Sequence, residues 1–489
     1  YIDFLKEDLN IEVVYDWVAS STDYEEKMNL CIGSNTVPEL MNVNATQYRA
    51  LLKYDMIQPL DKYFDDYASD ALKSYVKSGG EELQKCITNE DGELMAIPAP
   101  NLTAGGVNEM WIRQDWLDAL GLDVPRTWDE LAEVAKAFVT RDPDGNGEND
   151  TIGILGPGNS DHMNAVGGNQ FGLDPLFSCF QSYPQYWLKS EDGSVEYGSI
   201  QPETKTALEN ISKLYADGVI DPETLVRSDS KEPLLAGKVG IFFGPWWCAY
   251  TFADTTLSGS ADWRAYFTPL SEDGKYYTHM AEPTTQYVVA SKDCKNPEAA
   301  FKIINYIVAN EQKWVEEGVT STEMGTGDFY PLYNTYDNAD EIEKSYEALT
   351  KYLAGDISMD DVDFSTHKLL KNDMEAVTKL KKKPYDDFSL KYWNLDSDLA
   401  KTNLPRLVAI MVGDAPLVNE EYVPVYNAYN GQTETMEAKW ANLKKMEEET
   451  FAKIIMGKAD ISEFDTFVKN WKNQGGDQIL KEINDELSK

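Results

Sequence analysis

The chain has 489 residues, enough to bury more than one core, and 84 acidic against 44 basic side chains give it a formal net charge of −40. So large an acidic excess excludes a nucleic-acid phosphate backbone or an anionic membrane surface as partner, because both require a basic footprint. No continuous apolar run approaches the roughly 18 residues of a membrane span.

The chain opens on Tyr1 rather than Met, so any targeting segment is expected to have been removed or to lie outside this sequence. "IEVVYDWV" (11–18) reads as a strand, "YEEKMNLCI" as a helix and "PELMNV" (38–43) as a second strand. In "TWDELAEVAKAFV", Thr127 and Glu130 stand at the spacing of a capping box, which predicts a helix start there. "IGILG" is strand-like, and "KTALENISKLYADGVI" has the apolar spacing of an amphipathic helix. "QYVVAS" (286–291) reads as a buried strand. It runs straight into "NPEAAFKIINYIVANEQKWVEEG", a helix entered through Asn296-Pro297. From about Asp337 onward the pattern is mainly helical, and the basic run Lys381 to Lys383 reads as a solvated helix end. Short apolar runs alternating with helical periods indicate an α/β protein. Without an internal repeat or a long linker, two lobes at this length imply that the chain crosses between them more than once.

The most specific short motif is "DPDGNGENDTIG" (142–153). Asp142, Asp144, Asn146, Gly147 and Asp150 fall at positions 1, 3, 5, 6 and 9 of a calcium loop, where hard oxygen ligands converge on one ion. Position 12 is Gly153 rather than a bidentate glutamate, so another carboxylate has to complete the shell; the competing reading is an Asx-rich turn. The candidate ligands for a structural calcium are Asp142, Asp144, Asn146, Glu148 and Asp150. Catalytic signatures are absent: His162, His279 and His367 are isolated, and no HExxH, GxSxG, phosphate loop or GxGxxG occurs. Cys31, Cys86, Cys179, Cys248 and Cys294 are odd in number, dispersed and without CxxC spacing, as buried thiols are.

Aromatic residues stand beside turn signals. "GIFFGPWWCAY" (240–250) is a strand-like run broken at Gly244-Pro245 and followed at once by Trp246 and Trp247. "SYPQYW" holds Tyr183, Tyr186 and Trp187, and "VYNAYNG" holds Tyr426 and Tyr429, whereas Trp111, Trp116, Trp128, Trp314 and Trp440 read as core. Turns at strand ends line the crevice of open α/β sheets, and an indole face suits the C–H face of a sugar ring.

Five segments in order resemble the extracellular solute-binding proteins of ABC transporters, the maltose-binding-protein class, and within it the long lipoprotein-type carbohydrate binders of Gram-positive bacteria. They are "YEEKMNLCIGSNTVPELMNVNATQYRALLKYDMIQPLDKYF", "MWIRQDWLDALGLDVPRTWDELAEVAKAF", "DPDGNGENDTIG", "LLAGKVGIFFGPWW" and "FAKIIMGKADISEFDTFVKNWKNQGGDQILKEIN". The resemblance implies a bilobal α/β fold of the periplasmic-binding-protein type II with a multi-crossing hinge. Lobe one would take 1–110 with 285–335 returning to it. Lobe two would take 111–284 with the mainly helical 336–489. It implies a monomeric, non-enzymatic cell-surface receptor, lipid-anchored through a segment outside this sequence. Such a receptor closes on an oligosaccharide held between its lobes and hands it to a membrane permease. The alternatives are a glycan-cleaving enzyme and a non-catalytic glycan-adhesion module. The family begins with a strand and helix before the segment equivalent to "IEVVYDWV", and by the resemblance this sequence starts within that helix. The expected ligand-binding residues are Trp246 and Trp247, then Asn44, Gln47, Asn101, Asp161 and Glu282, with Trp187 as a second platform. The resemblance favours Trp246 as the sugar platform, with Trp247 packed beside Phe242 or Phe243.

Overall fold

The computed structural model describes residues 2–158, 169–316, 332, 336–364, 367, 369–383 and 388–488. Its strands in chain order are β1 (Leu40–Asn44), β2 (Ile97–Pro100), β3 (Glu109–Arg113), β4 (Ile152–Leu155), β5 (Trp187–Lys189), β6 (Val195–Tyr197), β7 (Val239–Gly244), β8 (Trp263–Tyr266), β9 (Tyr276–His279), β10 (Thr284–Ala290) and β11 (Tyr422–Val425). The chain divides into two units. The first comprises Tyr1–Thr103, Glu282–Glu341 and Asp363–Lys368; the second comprises Ala104–Ala281, Ile342–Val362 and Leu369–Lys489.

The first unit is built on an antiparallel sheet of order β1-β10-β2, with Val43 opposite Tyr287 and Met41 opposite Val289. Both "PELMNV" and "QYVVAS" form the strands that their apolar content predicts. The helix Ala45–Lys53 lays Tyr48 flat on Tyr287, ring centroids 4.4 Å apart, which ties it to the central strand. "IEVVYDWV" forms no strand. Val14 and Val18 are 78 % and 85 % exposed, while Ile11 and Val13 rest on a small cluster of Leu5, Ile303, Ile307 and Trp314. Its β-branched residues have no partner strand to pair with, so local propensity is overridden.

In the second unit the sheet runs β4-β7-β3-β8, with β7 parallel to β4 and antiparallel to β3. Every residue of β7 is buried, as befits a strand covered on both faces. Alternation sorts the side chains: Met110, Ile112, Ile241 and Phe243 enter the larger core with Trp116 and Phe138. On the opposite face Trp111, Phe242, Phe252 and Trp263 pack ring against ring at 5.0–6.3 Å. The helix Trp128–Thr140 starts with the expected capping box between Thr127 and Glu130. Farther along, Trp471 stacks on Tyr197 at 4.8 Å, where a Cβ on Gly476 would lie 2.1 Å from the indole.

The basic run departs from its expected solvation at one residue. Lys381 is 3 % exposed, and its ammonium lies 4.4 Å from the Phe388 ring and about as near Tyr392 and Trp393. Cation–π attraction to these three rings stabilises the buried charge. All five cysteines are free thiols, four of them buried.

Candidate functional site

The strand β7 ends where Gly244-Pro245 removes the next ladder donor, and Trp246–Cys248 then make one turn of 3₁₀ helix leading into the helix Ala249–Leu257. In a 3₁₀ turn successive side chains are separated by about 120°. The two tryptophans therefore diverge by less than the full reversal that consecutive residues of a strand show. Trp246 is the buried one, 6 % exposed, and its indole Nε1 has no hydrogen-bond acceptor; Trp247 is partly exposed. Accessibility thus reverses the order expected from the resemblance. Beneath the turn, Gly413 closes a π-turn (Ala409–Gly413), and a Cβ there would lie 2.7 Å from the Trp246 carbonyl oxygen and 3.0 Å from Trp111.

The other expected residues separate into those on accessible surface and those consumed by the fold. Asn44 is the N-cap of Ala45–Lys53: its Oδ1 accepts from the Gln47 backbone N–H at 2.9 Å, and Gln47 Oε1 accepts in return from the Asn44 N–H. Gln47 is only 2 % exposed and donates its remaining amide protons to the Glu25 carbonyl and Asn29, so it belongs to the interior of the first unit. The sequence N-A-T-Q carries the S/T/D/N-x-x-E/Q spacing, a signal that was open to reading as a cap. Trp187 is 4 % exposed and enclosed by Tyr197 and Trp440, a core residue and not a second platform. Tyr183 and Tyr186 set their rings edge-on to the buried His279. Asp161 lies outside the described residues.

Asn101 and Glu282 come together in the first unit. Asn101 donates through Nδ2 to the Glu282 carbonyl at 2.8 Å, and its N–H donates to the Pro283 carbonyl. The Glu282 carboxylate lies 3.7 Å from the Arg49 guanidinium, both about a third exposed. Burial pushes the Glu282 carboxyl up and the Arg49 charge pulls it down, with burial the larger effect. Arg49 was not among the expected residues; it lies in the first unit's helix Ala45–Lys53, and nothing local in "TQYRALL" marks it.

The 142–150 loop is a closed set of hydrogen bonds. Asp142 accepts from the N–H groups of Asn146 and Gly147, at 3.1 and 3.0 Å. The Asn146 amide nitrogen points inward between Asp144 and Asp150, at 2.9 and 3.2 Å. Asp150 also meets Lys238 at 2.9 Å, and Glu148 is exposed. Burial, then Asp142, raises the Asp144 carboxyl above its ordinary range. Among the described residues no group of three or more His, Cys, Asp or Glu side chains converges in metal-ligating geometry.

The sequence model of the bacterial extracellular solute-binding proteins matches residues 3–314. The chain belongs to this family. Among its relatives, the polygalacturonan/rhamnogalacturonan-binding protein YtcQ of Bacillus subtilis is 24 % identical over 97 % of this chain and 85 % of its own. The fructooligosaccharide ABC transporter substrate-binding protein FusA of Streptococcus pneumoniae is 29 % identical over 47 % of this chain, and that match spans 43 % of the relative's length. A solved structure of FusA, an EF-hand mutant in complex with fructo-nystose, covers 99 % of this chain and 95 % of its own with a TM-score of 0.57 and 18 % identity. An HMO-binding, ABC-transporter-associated solute-binding protein of Bifidobacterium longum infantis covers 98 % of this chain and 92 % of its own at a TM-score of 0.61 and 17 % identity. At such identities the structures establish the fold, the two-lobed α/β architecture of solute-binding proteins.

This solute-binding protein also buries acids that sequence reading did not single out. Glu109, opposite Gly244 in the β3–β7 ladder, is fully buried, and neither carboxyl oxygen has a partner. Asp414, next to Gly413, is likewise buried with both oxygens unpaired. Burial, then Glu343, pushes Asp414 up to about 9; burial, then Asp414 and Glu420, raises Glu109 well above the carboxylate range. Both are held protonated, because ionising either would strand a charge beside another acid. A folded-state pKa above the unfolded value gives stability that is complete below about pH 4 and fades as pH rises toward 9. His279 has the opposite sign, since burial lowers it to about 3, but its contribution is complete above its ordinary value of 6.5. Between pH 6.5 and 9 the acids therefore dominate. The melting temperature should fall by several degrees across that window, and Asp414→Asn should flatten the fall and raise the value at pH 9. Calorimetric scans of both proteins check this, and parallel profiles for parent and variant would refute it.

Proposed function

We propose that this solute-binding protein captures a soluble oligosaccharide and delivers it to an ABC-transporter permease, with no covalent chemistry of its own. The observation that carries the reading is the Gly244-Pro245 break, which takes a tryptophan pair out of a buried strand and leaves Trp247 partly exposed at the strand's end. Trp247 is our choice of sugar platform, with Trp246 as the wall behind it. On the first unit, Arg49, Glu282 and Asn101 supply hydroxyl-binding groups. The relatives support a glycan as ligand, since they are named for a fructooligosaccharide and for polygalacturonan/rhamnogalacturonan. A thermal-shift screen against neutral and acidic oligosaccharides tests the reading, because a ligand that binds only the native state raises the melting temperature. One class of sugar should shift it by several degrees; a flat response to every sugar would count against a glycan receptor.

The 142–150 loop is proposed to take a calcium ion. Its donor set is oxygen-rich, and the inward Asn146 amide occupies the place between Asp144 and Asp150 where a cation would relieve their repulsion. A half-turn of that amide would present its oxygen instead, and Asp142, Asp144 and Asp150 would complete the shell. The ion would act as a structural clip. Exhaustive chelation should lower the melting temperature by a few degrees and leave sugar affinity unchanged; an unaltered melting temperature, with no metal found by elemental analysis, would contradict the proposal. Cell-surface attachment through a lipid anchor and a monomeric state complete the proposed picture; a lipoprotein relative, LipO of Bacillus subtilis, supports the first.

A further inference from the structure

This inference rests on the glycan-receptor reading and names the class of glycan. We propose that the protein selects electrically neutral oligosaccharides and rejects uronates. A uronate carboxylate taken out of water must be paired, and the side chain suited to that task is arginine, whose planar fork donates two parallel hydrogen bonds. The chain has seven arginines in 489 residues, all of them among the described residues.

Six already hold a carboxylate of the protein. In the second unit Arg113 pairs with Asp115 at 2.5 Å, Arg126 with Glu420 at 2.9 Å and Arg227 with Asp221 at 3.0 Å. Arg264 meets Asp262 at 3.3 Å, and the Nε–H of Arg406 is shared between the two Asp373 oxygens at 2.9 and 3.0 Å. The seventh, Arg141, stands exposed beside the acidic 142–150 loop. Only Arg49 lies among the candidate ligand groups, and Glu282 offsets its charge at 3.7 Å. Beside the tryptophan turn the buried ionisable side chains include two acids, Glu109 and Asp414, and the thiol of Cys248. No positive charge that could pair a ligand carboxylate comes from these groups. Over the chain as a whole, a net charge of −40 repels an anionic oligomer before contact and slows its association. Lysines remain, but each offers one mobile, strongly hydrated point charge rather than a fork.

Calorimetric titration of the full chain tests this, with kestose, maltotriose, cellotriose and galactotriose as neutral probes and trigalacturonate and trimannuronate as acidic ones. At least one neutral probe should bind, and both acidic ones should bind at least 100-fold more weakly. In Glu282→Gln, which leaves Arg49 without its counter-charge, the gap should narrow by about tenfold. A structural role for Glu282 alone would weaken both classes together and leave the ratio unchanged, which overturns the assignment of Arg49. Tighter binding of an acidic probe than of every neutral one overturns the proposal and leaves the glycan-receptor reading standing. No binding by any probe overturns both.

Discussion

Trp247→Ala should weaken sugar binding tenfold or more while moving the melting temperature little, and Trp246→Ala should do the reverse. The partly exposed indole of Trp247 loses a stacked contact worth roughly 1 kcal/mol beyond area burial, and about 1.4 kcal/mol is a factor of ten in affinity. The buried indole instead leaves a cavity, which for a large aromatic costs about 3–5 kcal/mol of stability. Its 6 % exposure and its backbone contact at Gly413 place Trp246 in that second class. Calorimetry for affinity and scanning calorimetry without ligand separate the two effects. If Trp247→Ala binds as tightly as the parent while Trp246→Ala retains full stability and loses affinity, the assignment is inverted. If neither loses affinity, the strand-end turn is not the sugar platform.

Gly413→Ala should disturb the same turn from beneath. Gly413 does not need a left-handed backbone; it needs space, because a Cβ would come within 2.7 Å of the Trp246 carbonyl oxygen and 2.9 Å of its Cα. Those are backbone atoms and cannot swing aside as a flexible side chain would. Overpacking of this kind costs about 1–3 kcal/mol, and here it would displace the turn that carries Trp247. Both the melting temperature and the sugar affinity should fall. Gly355→Ala is a useful contrast: no atom lies within 4 Å of its Cβ, but its φ of +83° strains any side chain. That variant should lose stability without losing affinity. Equal affinity in Gly413→Ala and the parent would show that the turn yields without consequence for binding.

The elements legible in the sequence were those where several local signals agreed. Thr127 and Glu130 announced a helix start, the apolar run before Gly244-Pro245 announced a strand end, and "QYVVAS" announced the central strand of the first unit. "IEVVYDWV" failed because β-propensity describes a fit to neighbouring strands, and none pairs with it there. Gln47 and Trp187 failed for a different reason. An amide after a strand, or an indole beside a proline turn, reads the same whether it faces solvent or core, and only tertiary packing decides. For Gln47 the cap spacing from Asn44 was the discriminating signal. Glu109, Asp414 and Arg49 were invisible, since their neighbours come from segments far apart in the chain, Arg49 and Glu282 being an example. The family resemblance located the tryptophan turn, but the 3₁₀ geometry that sets the exposure of each ring is a property of the fold.

The most direct test of the central claim is a titration of the purified chain with the sugar selected by thermal shift, followed by chromatography of the mixture after prolonged incubation. A receptor should show saturable binding to one site and return the oligosaccharide intact. Cleavage products accumulating over multiple turnovers, or an absence of saturable binding to any soluble glycan, would contradict it.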